Sequence, residues 1–330
     1  MTQSKKIKKV LFFGTEDWAF WQHRLPMALA LKNAGFQVVV VARKNHHKER
    51  IEQEGLAFIH WHVWRGSINP IRELIALIDM ARICIKEKPD IMFNVALKPI
   101  LYGTICAKLS AVKHSINLFA GLGAVFIKPT LPLKLIRAII FPILTKLLST
   151  RKNWVLVQNQ NDRETLQKLG IGAAERFALI RGSGIDLNDF PMTPEPENED
   201  PLIVTMVSRM LWYKGVKEAV EAARILKQEG ENIRIILVGS PDLANPTTVT
   251  WDTLEEFNIE GVIDWQGHRT DIVDVWKNSH IALLPSYGEG IPKSLLEAAA
   301  IGRPLVAFDA SGSRDLVCTG ENGILVPLGD

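Results

Sequence analysis

The feature that most constrains this chain is a rhythm of short apolar runs and helical patterns, interrupted once. Lys9–Phe13, Gln37–Ala42, Ala57–Val63, Ile91–Val95, Ser115–Leu118, Trp154–Gln158 and Phe177–Ile180 read as strands. Between them Phe20–Ala34, Pro70–Lys86, Pro99–Leu109, Leu131–Leu148 and Asp162–Leu169 read as helices. From Pro191 to Pro201 the rhythm fails, because four prolines and four acids in eleven residues make a polar linker. It then restarts. Leu202–Val207, Ile233–Val238, Ile281–Leu284, Leu305–Phe308 and Gly323–Val326 are the strands, and Lys214–Gln228, Trp251–Phe257, Asp271–Lys277 and Pro292–Ile301 the helices. Strand–helix alternation builds a parallel sheet covered on both faces. A chain of 330 residues suits two cores of roughly 150 residues each. The expectation is therefore α/β: a doubly wound domain over 1–190, a linker over 191–201, and a second doubly wound domain over 202–330. Two such domains joined by a hinge place ligands in the cleft between them, at the carboxyl ends of the strands.

Charge divides along the same line. Residues 1–190 hold 28 Lys and Arg against 14 Asp and Glu, whereas residues 191–330 hold 11 against 22. From Ile91 to Asn161 there is no acid at all. That basic, apolar stretch fits contact with anionic lipid headgroups, and it also fits a core helix whose lysines snorkel. Its most apolar part, Leu131–Leu148, contains Lys134, Arg137 and Lys146, too many charges for a membrane span. No nucleic-acid-binding motif accompanies the basic half, so nucleic acid is not expected as a partner. The apolar run Val10–Phe13 ends at Gly14, Glu16 and Asp17, too short for a signal peptide, and the chain reads as cytoplasmic. Cys84, Cys106 and Cys318 are odd in number with no C-x-x-C spacing, which predicts buried reduced thiols, no disulfide framework and no zinc site.

Several chemistries lack their signatures. One glycine, Gly14, follows the first strand, so there is no dinucleotide fingerprint; there is no P-loop, no H-E-x-x-H and no G-x-S-x-G. Gly182-Ser183-Gly184 does not make a nucleophile elbow, and His46-His47 among lysines reads as a solvated loop. The second half offers more. Ser286 to Lys293 joins a strand to a helix, with Pro292 at the first turn and Gly302 at the stop. Amides around Gly290 and Ile291 would suit a phosphate. Glu289 stands at the mouth of the helix and Glu297 eight positions later, where its carboxylate can accept from vicinal hydroxyls. Taken alone, the two could equally be a capping and a helix-face glutamate. Arg209 and Lys214 follow the strand Leu202–Val207, the fork and point charge that a diphosphate needs, or ordinary surface cations. Together the four residues describe a ligand with a sugar diol and a diphosphate. No carboxylate cluster suggests a metal, so none is expected.

These residues resemble a known family. Glu289-x7-Glu297, Ser208-Arg209 with Lys214-Gly215, Gly302-Arg303-Pro304 and Gly320-Glu321-Asn322-Gly323 are similar to the retaining glycosyltransferases of family 4, with the GT-B fold of two Rossmann-like domains facing a cleft. Trp18 to Pro26 with His23-Arg24, Lys98-Pro99, Gly121-Leu122-Gly123 and Gln158-Asn159 resemble a subgroup acting on undecaprenyl-diphosphate-linked glycans. The resemblance implies a hexosyltransferase that moves a sugar from a UDP-sugar to a polyprenyl-diphosphate-linked acceptor at the inner face of the cell membrane. It implies that Arg209 and Lys214 bind the donor diphosphate, that Glu289 and the amides of Gly290 and Ile291 meet the sugar or phosphates, and that Glu297 holds the ribose. Gly14 and Thr15 would form a loop near the diphosphate; Gly267, His268 and Arg269 would edge the base; His23, Lys98, Gly121 and Gly123 would face sugar or acceptor. Family members usually continue past position 330 through helices that cross back, which implies a shortened second domain here. A nucleotide-sugar 2-epimerase of the same fold, or a UDP-sugar binder without turnover, would use the same donor residues.

Overall fold

Val10, Leu11, Phe12 and Phe13 are all buried, the burial expected of a strand in the middle of a covered parallel sheet. The computed structural model, which describes residues 8–110, 112–122, 126, 131–197 and 200–330, places them there. β1 (Lys9–Glu16) lies between β2 (Gln37–Arg43) and β4 (Ile91–Val95), and the sheet extends to β3 (Ala57–His60) on one side and to β5 (His114–Phe119), β6 (Asn153–Val157) and β7 (Phe177–Leu179) on the other. Every pairing is parallel. Successive side chains of β1 enter opposite layers, as strand geometry requires. Leu11 and Phe13 pack with Met80, Cys84 and Tyr102 beneath α4 (Pro70–Glu87) and α5 (Leu97–Leu109). Val10 and Phe12 pack with Phe20 and Ala28 of α1 (Asp17–His23) and α2 (Leu25–Asn33). Further along, α6 (Leu131–Leu148) and α7 (Gln160–Lys168) cover β5 and β6. Leu144 and Leu148 of α6 are fully buried in this layer, so α6 is a core helix on that face. No helix among the described residues is long and apolar enough to cross a membrane.

The second unit repeats the plan with β8 (Leu202–Val207), β9 (Ile233–Val238), β10 (Asp264–Trp265), β11 (Ile281–Leu284), β12 (Leu305–Phe308) and β13 (Gly323–Val326), all parallel, in the order β10-β9-β8-β11-β12-β13. Its helices are α8 (Val216–Glu229), α9 (Trp251–Ile259), α10 (Ile272–Lys277) and α11 (Lys293–Ile301). In each sheet the chain winds outward from the first strand and then reverses, so the switch points lie between β1 and β4 and between β8 and β11.

The units divide between Ile180 and Arg181, ten residues before the expected boundary of 190. The proline-rich stretch is also tied to the second unit. The Thr193 N–H donates to the Ile301 carbonyl, and the buried Arg303 donates to Thr193 Oγ1 at 2.7 Å and to the Pro194 carbonyl at 2.5 Å. Cys84 and Cys106 are buried as expected, but Cys318 is exposed, because it sits in the turn before β13 where its N–H is bonded by the Asn322 side chain. A short helix, α3 (Lys48–Gln53), occupies a stretch whose charges masked it. The expected helix over 20–34 is two, broken at Arg24, whose φ is −128°. Pro26 supplies the cause: in one continuous helix it would have no N–H for the Gln22 carbonyl and its ring would crowd that oxygen, whereas in the first turn of α2 no such bond is needed.

Arg24 lies on the stripe shared with Phe20 and Ala28 and is 5% exposed. Its Nε and Nη1 find no partner among the described residues, and burial pushes its pKa down to about 10, still charged at neutral pH. Leaving a buried charged donor unpaired is costly. Arg24→Met, of similar length and apolar, is expected to stabilise the fold by roughly 1–3 kcal/mol, read as a higher urea midpoint at unchanged slope.

Candidate active site

The loops after β8, β9, β10, β11 and β12 all leave one edge of the second sheet, because the strands are parallel. At the switch point, the loop after β8 makes a short 3₁₀ turn, Trp212–Lys214, and enters α8 through Gly215. Gly215 has φ +86°, and a Cβ there would lie 2.0 Å from the carbonyl oxygen of Pro285, just past β11. Only glycine lets these two loops close to this distance. The closure sets Lys214 beside Glu289, and the ammonium and carboxylate form an ion pair whose members are each 13% exposed. Backbone bonds fix the same contact, the Tyr287 N–H donating to the Tyr213 carbonyl at 3.1 Å and the Glu289 N–H to the Ser311 carbonyl at 2.9 Å.

Arg209 stands next to this pair. Its Nη1 donates to Asp242 Oδ2 at 2.6 Å, and its Nη2 lies 3.4 Å from the Tyr213 hydroxyl. The Lys214 ammonium sits 5.4 Å from the centroid of the same tyrosine ring. Tyr213 therefore links both cations, and Asp242 orients the guanidinium. Neither was picked out from sequence. The usable signal for Asp242 was an acid four residues past the strand next to β8, within reach of a cation that needs an orienting acceptor. Tyr287, from the same loop as Glu289, donates to Glu218 Oε1 at 2.6 Å, and that acceptance with burial pushes the phenol up to about 12.

Glu297 is one turn into α11 and buried. Burial raises its carboxyl above the usual carboxylate range, with Lys293, 3.5 Å away, pulling in the opposite direction. Pro292 is the N-cap of α11 rather than its first helical residue; no side chain caps this end, and its first turn holds no acid. The leading amides of a nine-residue helix thus face an anion-favouring end beside Gly290 and Ile291. Gly267, His268 and Arg269 follow β10 at the flank. The Gly239 N–H donates to the Gly267 carbonyl at 2.7 Å, and Arg269 is forked onto Asp271 and donates to Gln266 Oε1 at 2.7 Å. His268 is exposed.

The first unit departs more from expectation. Gly14 and Thr15 do not form a loop: β1 runs through them to Glu16, with a register slip between Phe13 and Glu16. The strand is held open at its end because Asn45 Nδ2 donates to Glu16 Oε2 and Asp17 Oδ1, while the Asn45 and His47 N–H groups donate to Asp17 Oδ2. Burial pushes the Asp17 carboxyl upward, but the donors from Asn45 and His47 outweigh it and leave it below its usual value. Lys98 is also placed differently. Its three N–H bonds go to the carbonyls of Trp64 and Ser67 at 2.7 Å and to Glu73 Oε1 at 2.8 Å, so it pins the loop before α4 instead of presenting a free cation. His23 is half-buried at the end of α1, Gly121 follows β5 at the carboxyl edge, and Gly123 lies outside the described residues.

Both halves of the chain match glycosyltransferase families: residues 9–159 the one described as Glycosyl transferase 4-like, residues 190–330 the one described as Glycosyl transferases group 1. The chain belongs to the glycosyltransferases. It is 29% identical over 327 residues to the N,N'-diacetylbacillosaminyl-diphospho-undecaprenol alpha-1,3-N-acetylgalactosaminyltransferase of Campylobacter jejuni, covering 96% of this chain and 84% of that one. It is 24% identical over 278 residues to the UDP-Gal:alpha-D-GlcNAc-diphosphoundecaprenol alpha-1,3-galactosyltransferase of Escherichia coli, covering 80% and 69%. Among solved structures, HepE of Anabaena in complex with UDP and glucose superposes with TM-score 0.72 at 18% identity, covering 98% of this chain and 86% of that one. Sucrose-phosphate synthase of Thermosynechococcus elongatus does so with TM-score 0.76 at 18% identity, with the same coverage. These structural likenesses establish the fold, two Rossmann-like parallel-sheet units as in GT-B enzymes.

Two outcomes follow from the site's packing. Gly215→Ala is expected to lose ~2 kcal/mol or more, since it adds both a backbone strain and a clash with a carbonyl; thermal denaturation checks this. For Glu297 the folded carboxyl binds its proton more tightly than the unfolded one, so the folded state loses stability as pH rises from the ordinary glutamate range through the raised folded value. Glu297→Gln should therefore be more stable than the parent at pH 7, with the gap closing below about pH 4, measured as denaturant midpoints across pH.

Proposed function

We propose that this glycosyltransferase moves a sugar, an N-acetylhexosamine or hexose, from a UDP-sugar to a polyprenyl-diphosphate-linked acceptor, with retention of configuration and without a metal. The reading rests above all on the Lys214–Glu289 pair at the switch point, with Arg209 joined to it through Tyr213. A diphosphate leaving group needs cations at the place where its charge develops. Arg209 and Lys214 provide them, and the uncapped start of α11 adds oriented amides. Glu297, buried and with few donors to its carboxylate, gains most from hydroxyls that donate to it, which suits the vicinal diol of a ribose. The relatives' acceptors are undecaprenyl-diphosphate-linked sugars, which supports the acceptor class. A lipid-carried acceptor supports a position on the inner face of the cell membrane, against an anionic surface.

The reaction is then a balanced exchange at the anomeric carbon. Its bond to the β-phosphate oxygen breaks, and the electron pair stays with UDP. The acceptor hydroxyl oxygen bonds to the same carbon from the same face, and its proton passes to a departing phosphate oxygen. Glu289 accepts a hydroxyl of the donor sugar once the phosphates compete for Lys214, and no side chain is assigned as a covalent nucleophile. His23 and Gly121 lie on the first unit, which we assign to the acceptor.

Arg209→Ala and Lys214→Ala should each lower kcat by about 10²–10³-fold while leaving the circular dichroism spectrum intact. Near-normal turnover by both purified variants would falsify the assignment. The assay is a screen of UDP-sugars with membranes bearing polyprenyl-diphosphate sugars, run with and without chelator. Transfer that requires the acceptor and persists with chelator is the expected result.

A further inference from the structure

α4 shows an unusual division of its surface. Its exposed positions are Pro70, Ile71, Arg72, Leu74, Ile75, Ile78, Arg82, Ile85 and Lys86, so every exposed side chain beyond the leading proline is isoleucine, leucine, arginine or lysine. At 100° per residue, the eight after Pro70 fall within an arc of about 160°. Ile71 and Ile85 are each 69% exposed, and Ile68, just before the helix, is 77% exposed. The three acids of α4 are all half-buried and paired. Glu73 takes the Lys98 ammonium, Asp79 lies 2.9 Å from His62 Nδ1, and Glu87 lies 3.0 Å from Lys9 Nζ.

The arrangement continues across the layer. α4 packs on α5, and α5 on α6, over the same face of the first sheet. Neither α5 nor α6 contains an acid. α5 ends on exposed Lys108 and Leu109, and α6 exposes Ile139, Ile143 and Lys146 opposite its buried Leu144 and Leu148, with Lys134 exposed near its start. The outer surface of these three helices therefore combines large aliphatic side chains with cations and holds no carboxylate outside the paired ones.

We propose that the outer face of α4 is an interfacial docking surface for an anionic lipid bilayer, with the exposed side of α6 as its second contact. Aliphatic side chains this exposed gain by entering the acyl boundary. Each flanking cation is favoured near an anionic surface and falls out of range within a Debye length. Lys98 and Lys9 offset the charges of Glu73 and Glu87, which lowers the repulsion that would oppose approach. A contact with a second copy of this chain would set one cationic face against another, so charge favours lipid. The proposal deepens the membrane contact proposed above, and its readout is vesicle binding, so its failure would leave sugar transfer standing.

The test is co-sedimentation of the full chain with phosphatidylglycerol-containing vesicles and with phosphatidylcholine vesicles. The parent should bind the anionic vesicles, bind the neutral ones much more weakly, and lose binding in high salt. The double variant Ile71→Glu, Ile85→Glu, at positions each 69% exposed, should bind at least tenfold more weakly with an unchanged melting midpoint. As a second measurement, Ile78→Cys in a Cys318→Ser background, labelled with an environment-sensitive dye, should shift to the blue on anionic vesicles. Equal sedimentation of parent and double variant, an unshifted dye, or a dimer of the parent that the double variant breaks would each overturn the proposal.

Discussion

The Lys214–Glu289 ion pair is the contact on which the second unit's chemistry turns. It joins the loops after β8 and β11, the two strands between which the chain reverses direction. Both members are largely withdrawn from water, where either alone would be costly. The pair exists only because Gly215 brings its loop onto Pro285 without a Cβ. One missing methyl thus sets the distance between a cation and a carboxylate. In the proposed reaction the incoming diphosphate competes with Glu289 for Lys214, and the carboxylate released is already where a sugar hydroxyl arrives. Cation and acceptor are exchanged together, which avoids a step in which either is buried alone. Arg209 behaves in parallel: Asp242 holds it in one orientation, so binding a phosphate requires little ordering of the guanidinium.

Much of this was legible in the residues. The strands Ile91–Val95, Leu202–Val207, Ile233–Val238, Ile281–Leu284, Leu305–Phe308 and Gly323–Val326 have the bounds read from sequence, as does the helix Leu131–Leu148. Fully buried parallel strands are continuous apolar runs, and prolines and glycines bracket them. What escaped was set by partners distant in sequence. β10 has two residues, Asp264 and Trp265, and its edge position follows from pairing with Ile236 and Leu237, which no local pattern announces. The family resemblance implied a loop at Gly14 and Thr15. They extend the strand because Asn45 and His47, thirty residues on, hold Asp17. Lys98 looked available until Trp64, Ser67 and Glu73 claimed its donors.

The charge pattern carries the same lesson about lipid contact. Read along the chain, the acid-free segment from Ile91 to Asn161 drew attention to Leu131–Leu148, and α4, with Glu73, Asp79 and Glu87, was passed over. Counted by face, the order changes. A charge matters to a bilayer only if it is displayed, and folding withdraws all three acids of α4 into pairs with Lys98, His62 and Lys9 while leaving Arg72, Arg82 and Lys86 outside. The Lys98–Glu73 pair then has two effects at once. It holds the loop before α4 against α5, and it masks a carboxylate that would otherwise stand at the edge of the isoleucine face. An interfacial helix therefore need not be acid-free in sequence; its acids can be turned off the outer face and held by partners within the fold. The isoleucines give the complementary argument. Ile71 and Ile85, each 69% exposed, are little covered by the described residues, and polar side chains there would serve a purely aqueous helix better.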